Sequence, residues 1–381
     1  VAASEDWNDA GEFAQYAQKY LATGFFTHCY ASCGNLLHNT CFFEQSFSPA
    51  PERNLFDLAS LTKALVTAPL TFQTQKQKNQ RSQDHLEKWL GRVDSHGLME
   101  PLLKLTPEQL LSHRSGLPAW FNFWFDYLER EETADQLWQS RHQQIQEILG
   151  RIVGFNKMDP LQGERYSDVG FILLGYVLEL LSGKDLAAQF EDFKKALDFQ
   201  ANASSWVGFA RSFSGNLSEK AISTGFCNIR KRDLYGEVQD ENCASLGGVS
   251  GHAGLFGTGP GVTQYLLRLF NSKEGHHFLQ HNIDLYRAAA PLYGLRKGDD
   301  ESSVVFADGH GIGHMGFTGT AFWIDTRNYN FAILLTNRVI SGRVSKETKK
   351  MRREGFERLN KICKCGLDQI NGGQNKFQTK L

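Results

Sequence analysis

Strand-patterned segments stand at both ends of this chain, with helical patterns between them. Residues 25–33 and 40–48 read as two short strands around a turn at Gly34–Asn39. Segments 303–307, 311–316, 319–326 and 329–336 read as successive strands near the other end. Helical periodicity marks 106–113, 133–153, 169–182, 184–198, 261–271 and 275–290. An amphipathic helix over 7–22 carries Phe13, Tyr16, Ala17 and Tyr20 on one face, and a charged amphipathic helix covers 344–363. Strands so far apart in sequence bury their apolar faces by pairing with one another. The pattern therefore predicts an α/β (α+β) chain whose sheet is built from both termini, flanked by helices, with a mainly helical domain inserted. The expected boundaries are 1–77 plus 260–381 for a discontinuous sheet domain and 78–259 for the helical one. Residues 78–97 form a polar crossing between them, and 202–259, rich in Gly, Ser and Asn, is too long for a linker and reads as a wrapped functional loop.

Charge and composition narrow the function. The 381 residues are 41% hydrophobic and 22% charged with a net charge of −1, an ordinary globular composition. Neutrality removes the electrostatic case for nucleic acid or an anionic membrane as partner. The longest apolar run, Phe331 to Leu335, is strand-sized, so no transmembrane segment is expected. The chain begins with Val1, which points to a trimmed or processed protein and leaves room for a signal peptide lost from view. Seven cysteines leave at least one unpaired within the chain, and the sequence leaves bridges and buried thiols both open.

The stretch FDLASLTKAL (56–65) passes from a strand-like segment into a predicted helix over Ser60 to Gln75, bent at Pro69. Ser60 and Lys63 stand three apart, which puts both side chains on one helix face. A serine hydroxyl becomes a nucleophile when a neighbouring base takes its proton. Lysine can serve if desolvation or nearby charge lowers its pKa toward neutrality. A helix start beside it destabilises the ammonium and supplies a backbone N–H for an oxyanion. Set against this, a chain of this composition holds roughly one S-x-x-K by chance; here it is the only one.

Two further stretches carry suitable chemistry. Tyr166, in Arg165-Tyr166-Ser167-Asp168, stands just before a helix and can shuttle a proton; the bland reading is a helix start with Asp168 as N-cap. Gly313-His314-Met315-Gly316-Phe317-Thr318-Gly319 has glycines that let a ligand or a second backbone approach a strand, or else mark a tightly packed edge.

The order S-x-x-K, Tyr-Ser-Asp, then His-Met-Gly resembles class C β-lactamases and their relatives: DD-peptidases, penicillin-binding-protein-like enzymes and family VIII-type carboxylesterases. LTPEQLLSHRSGLPAW (105–120), YSDVGFILLGYVLE (166–179), DENCASLGGVSGHAGLFGT (240–258), GHMGFTGTAFWID (313–325) and LLTNRV (334–339) are similar to segments of that family, and the resemblance covers roughly 10–365. It implies a β-lactamase/transpeptidase-like fold with an antiparallel sheet. It also implies a serine hydrolase working through an acyl-enzyme, without cofactor or metal. Carried over, Ser60 is the nucleophile, Lys63 its base and Tyr166 the proton relay. The oxyanion hole is the backbone N–H of Ser60 and of Phe317, with His314 and Gly316 in the third motif and His252 at the rim. Phe317-Thr318-Gly319 is an alternative placement of that motif.

This chain departs from the family at two points. Asp168 replaces an asparagine that donates to the substrate's amide, and an ionised carboxylate cannot donate. His314 replaces a lysine, so a permanent cation is missing. Both argue for weak β-lactamase activity and for a peptidase or amidase acting on cell-wall D-Ala-type peptides or muropeptides. A small-ester carboxylesterase and a non-catalytic penicillin-binding-like scaffold are the alternatives. The implied partner is a small-molecule or peptide substrate, peptidoglycan fragments included, and the implied location is exported, periplasmic or cell-envelope.

Other features are weaker. Gly247 to Gly261 lacks the Lys-Ser/Thr of a phosphate loop. His277 and His281 are four apart with no third ligand, which favours a surface pair over a metal site. Asn202-Ala-Ser204 and Asn216-Leu-Ser218 match glycosylation acceptors at a length that arises by chance.

Overall fold

The computed structural model describes residues 6–91, 97–128, 133–155, 163–202, 204–297, 302–343 and 346–378. After helix α1 (Asp6–Ala22) the chain makes a hairpin of β1 (Cys29–Asn35) and β2 (Thr40–Phe47), then the short β3 (Leu55–Asp57) and α2 (Ala68–Gln77). Helices α3 (Ala134–Phe155), α4 (Asp168–Ser182) and α5 (Leu186–Ala196) follow. Then come β4 (Val207–Phe209), β5 (Leu255–Thr258), α6 (Gly259–Asn271), α7 (Lys273–Arg287) and the two-residue β6 (Arg296–Lys297). The chain closes with α8 (Ser302–Ala307), β7 (Gly311–Met315), β8 (Ala321–Asp325), β9 (Asn330–Thr336) and α9 (Glu347–Gln378).

The main sheet has the order β2-β1-β9-β8-β7-β6, every neighbour antiparallel. The two termini meet at its centre, where Cys29 pairs with Thr336 and Asn35 with Asn330. Alternation sorts its side chains onto two buried faces. Cys29, Ala31, Cys33, Trp323, Ala332 and Leu334 pack against Phe13, Tyr16 and Tyr20 of α1 and Met351, Phe356 and Leu359 of α9. On the other face Tyr30, Phe322, Ile324, Phe331, Ile333 and Leu335 join an apolar cluster that continues through α4, α6 and α7. Burial on both faces explains why FAILL in β9 is continuously apolar. A second, small sheet of order β3-β5-β4 carries the chain to Ser60.

Two expectations are corrected here. Segment 303–307 is helix α8, not a strand. The run SSVVFA is too short and too apolar for periodicity to choose between the two. Packing chooses the helix: Phe306 and Ala307 enter the cluster beneath α9, and the Trp323 indole N–H donates to Ser302 Oγ at 3.0 Å. The Ser60 to Gln75 stretch is helical, but its first part is a single widened π turn over Lys63–Thr67, ahead of Pro69. Pro69 has no N–H for the carbonyl of Leu65. The Tyr265 hydroxyl of α6 donates to that oxygen instead, at 2.7 Å. All seven cysteines are free thiols, five of them buried. His277 and His281 pack edge-on against Phe72, and no group of three metal-ligating side chains occurs among the described residues.

Candidate active site

The site starts from the turn after β3. Ala59 sits at φ +47°, a left-handed conformation costly for a residue with a Cβ. Asp57 imposes it: one carboxylate oxygen accepts the Ala59 N–H at 2.8 Å and the other the Gln239 N–H at 2.7 Å. Burial pushes the Asp57 carboxyl up to about 6, against the pull of those two N–H donors. The clamped turn delivers Ser60 to the helix start, with Lys63 one turn on.

Lys63 is fully buried. Its ammonium donates to Ser60 Oγ at 2.9 Å and to the carbonyl of His252 at 3.0 Å, and it pairs with Asp168 Oδ1 at 2.6 Å. Two hydrogen-bond acceptors and one carboxylate charge thus surround the ammonium. Burial alone would lower its pKa; the Asp168 and Tyr166 side chains more than offset that and leave it raised. Resting Lys63 is therefore a charged ammonium, the reverse of the lowered pKa that a free base needs.

Tyr166 lies just before α4, its ring 5.0 Å from the Lys63 nitrogen, and it shares the cavity wall with Ser60. Burial raises its pKa and the neighbouring Asp168 adds to the rise, opposed by Lys63. The N-cap of α4 is Ser167, whose Oγ accepts the Gly170 N–H at 3.0 Å. Asp168 is thus the first helical residue rather than the cap, and its carboxylate is free to turn onto Lys63.

Gly316 brings the third motif against the nucleophile. A Cβ there would stand 2.1 Å from Thr320 Oγ1 and 2.8 Å from the Leu58 carbonyl, so only glycine permits this approach. Thr318 and Thr320 fasten the segment by donating to the carbonyls of Asp57 and Leu58 at 2.7 and 3.2 Å. Thr318 is buried in that contact and Gly319 is turned onto Thr336 and Arg338, so of the alternative placement Phe317-Thr318-Gly319 only Phe317 reaches the cavity. The backbone N–H groups of Ser60 and Phe317 donate to no other group among the described residues.

These groups line a cavity of about 520 Å³ walled by Ser60, Tyr166, Asp168, Gly316 and Phe317, with Trp120, Asp240, Met315 and Arg338. Two expected wall residues are not in it. The His252 imidazole turns away to Ser250 and Asp240, both at 2.9 Å, and only its carbonyl serves the site. The glycines around it explain the contact: Gly251 packs on Gly175 of α4 closely enough that a Cβ would meet the Phe171 carbonyl at 2.1 Å. His314 is 1% exposed and lies behind the wall, because alternation along β7 gives the cavity Met315 instead. Its Nδ1 meets the Met315 carbonyl at 2.9 Å, and burial with the nearby Lys63 and Arg296 charges drives its pKa well down, so it is a neutral imidazole.

A family model described as Beta-lactamase matches residues 38–193. An N-acetylmuramyl-L-alanine amidase of Bacillus subtilis strain 168 is 33% identical over 316 residues, covering 75% of this chain and 68% of that protein. The chain belongs to the β-lactamase family. It is a serine hydrolase of that family. An Escherichia coli K12 protein provisionally named a D-alanyl-D-alanine carboxypeptidase is 27% identical over 308 residues, covering 74% of this chain and 69% of that one. Among solved structures, the hydrolase EstCE1 superposes with a TM-score of 0.62 at 14% identity, over 92% of this chain and 99% of that one. D-amino acid amidase from Ochrobactrum anthropi gives 0.61 at 13%, over 93% and 98%. At such identities these two show the β-lactamase-like fold. Sequence reasoning missed the cavity residues Trp120, Asp240 and Arg338. Each lies inside or at the end of a family-like segment, where a buried arginine after the apolar LLTN was the available signal.

Proposed function

We propose that Ser60 is acylated by an amide substrate, that Lys63 accepts its proton and that Tyr166 relays it to the leaving group. The observation that carries this is Ser60 Oγ on the cavity floor, 2.9 Å from the amine of a wholly buried Lys63. The Ser60 and Phe317 N–H groups form the oxyanion hole, positioned where negative charge develops. Because Lys63 rests as an ammonium, the reactive form is the small fraction carrying a neutral amine. Asp168 and Gly316 shape the site around the scissile carbonyl.

The amide belongs to a cell-wall peptide or muropeptide. This choice is supported by the relatives named for muramyl-L-alanine and D-alanyl-D-alanine bonds, and it places the working protein outside the cytoplasmic membrane. Among the described residues no helix is long and apolar enough to cross a membrane. The test is intact mass after exposure to a fluorophosphonate, followed by turnover of D-Ala-D-Ala peptides and muropeptides. One adduct on the native protein and none on Ser60→Ala is expected. An unmodified native protein, or equal labelling of Ser60→Ala, sinks the assignment of the nucleophile.

A further inference from the structure

The short helix Pro107–Leu111 ends in a double closure. The Arg114 N–H donates to the Gln109 carbonyl at 2.7 Å and the His113 N–H to the Leu110 carbonyl at 3.2 Å. This closure sets His113 in the left-handed region, at φ +56°. Glycine ordinarily stands at such a helix end, and asparagine next, because other side chains crowd the backbone there. A histidine held in that strain is stabilised by what its side chain contacts.

Those contacts converge on Tyr166. His113 is buried and does not line the Ser60 cavity. Its carbonyl accepts the Arg165 N–H at 2.8 Å, and its Nδ1 accepts the Ser167 N–H at 3.0 Å. The backbone on both sides of Tyr166 is therefore held by one residue. The imidazole also lies against the phenol, with ring centroids 4.5 Å apart, and against Phe171 at 5.1 Å. A backbone N–H can only donate, so Nδ1 carries no proton and the ring is the neutral tautomer protonated at Nε2. Burial and the positive charges of Lys63 and Arg296 push its pKa well down, which keeps that acceptor available.

We propose that His113 is a positioning residue for acylation: by clamping the backbone on both sides of Tyr166 and packing against its ring, it holds the Tyr166 hydroxyl in place at the Ser60 cavity. This rests on the reading of Tyr166 as the proton relay and adds what keeps that relay aligned. As the Ser60 ester forms and the bond to the leaving group breaks, an amide nitrogen or an alkoxide oxygen must take up the relayed proton. A p-nitrophenolate departs as the anion and needs none. A loosened Tyr166 therefore slows the first kind of substrate and spares the second.

The test compares kcat/KM, which reports acylation alone, for p-nitrophenyl butyrate and ethyl butyrate, two esters with the same acyl group. In His113→Ala the ratio of the first to the second should rise by at least about tenfold over the native ratio. His113→Asn suits the left-handed backbone and offers its Oδ1 to the Ser167 N–H, so it should bring the ratio most of the way back. His113→Gly, which also suits that backbone and offers no acceptor, takes the place of His113→Ala if the latter does not fold. Tyr166→Phe, which lacks the relay, should show the split at least as strongly. Equal losses on both esters in His113→Ala, or no loss on either, overturn the proposal, since a purely structural histidine has no preference for a leaving group. A ratio in His113→Asn no nearer the native one than in His113→Ala overturns the role given to Nδ1. No split in Tyr166→Phe overturns the relay itself and this proposal with it, whereas a split in Tyr166→Phe alone overturns only the part given to His113.

Discussion

Asp168 Oδ1 stands 2.6 Å from the Lys63 ammonium and is its carboxylate partner. An aspartate in this place does more than withhold a donor: with Tyr166 it holds Lys63 in the charged form. The raised Lys63 pKa means that the neutral amine becomes more abundant as the pH climbs. Acylation should therefore rise by about tenfold per pH unit through the neutral range, the Brønsted behaviour of a base titrating above it. If Lys63 is the base, Asp168→Asn removes the larger of the two influences that raise its pKa, so the rising limb should move to lower pH and acylation at pH 7 should increase. Single-turnover rates between pH 6 and 10 read this directly; a limb that stays in place would remove Lys63 from the base role.

Cephalosporin turnover should be low in the native protein. The Asp168 carboxylate is engaged with Lys63 and cannot donate to a side-chain amide, and the neutral His314 is walled off from the cavity. A charged hydrogen bond is worth roughly 1.5–3 kcal/mol, so losing one costs about one to two powers of ten. Nitrocefin kcat/KM is expected below roughly 10⁴ M⁻¹s⁻¹, the lower edge of ordinary enzymes. A value near roughly 10⁶ M⁻¹s⁻¹ would show that neither residue limits β-lactam hydrolysis.

Gly316→Ala should fold and lose activity. The new Cβ meets Thr320 Oγ1 and the Leu58 carbonyl, so the segment carrying Phe317 must retreat from Ser60. Withdrawing one oxyanion donor typically costs on the order of 10²–10³ in rate. The loss should fall on kcat, and the melting temperature should drop because the displaced segment strains its hydrogen bonds to Asp57 and Leu58. Full activity in this variant would place the oxyanion donor elsewhere.

Asp57 links the nucleophile turn to pH. Its carboxyl is raised from 3.8 to about 6 in the folded protein, so the folded state holds a proton that the unfolded chain has already released. The stability from this group is complete below the unfolded pKa and is lost as pH rises through about 6. A shift of that size corresponds to about 3 kcal/mol. Urea unfolding at pH 4.5 and 7.5 should show that the native protein loses more stability over this interval than Asp57→Asn does. Parallel losses in the two proteins would contradict this account of Asp57.

Much of the architecture was legible because long strands announce themselves. Residues 29–35, 311–315 and 330–336 are bounded by turn residues and separated by helical patterns, so a sheet from both termini followed. Segment 302–307 was misread because six apolar or small residues fit either element, and the decision lay in Trp323 and α9. Ser60, Lys63 and Tyr166 were legible through motif order. The pairing of Lys63 with Asp168 was not. Spacing said that residue 168 begins a helix, but not that Ser167 caps it and frees Asp168 to turn inward. His252 and His314 misled for a related reason: a motif names a position, while strand alternation and glycine contacts decide which atoms of it reach the cavity.

The seam between β1 and β9 also sets a schedule. A ribosome adding roughly 5–20 residues per second exposes Ser60 and Lys63 well before it reaches the strand that carries Gly316 and Phe317. During that interval the nascent chain holds a serine and a lysine with no oxyanion hole to serve them, and an unpaired β1 edge awaiting its partner. Long-range pairing of this kind makes the cavity around Ser60 a property of the finished sheet rather than of any single motif.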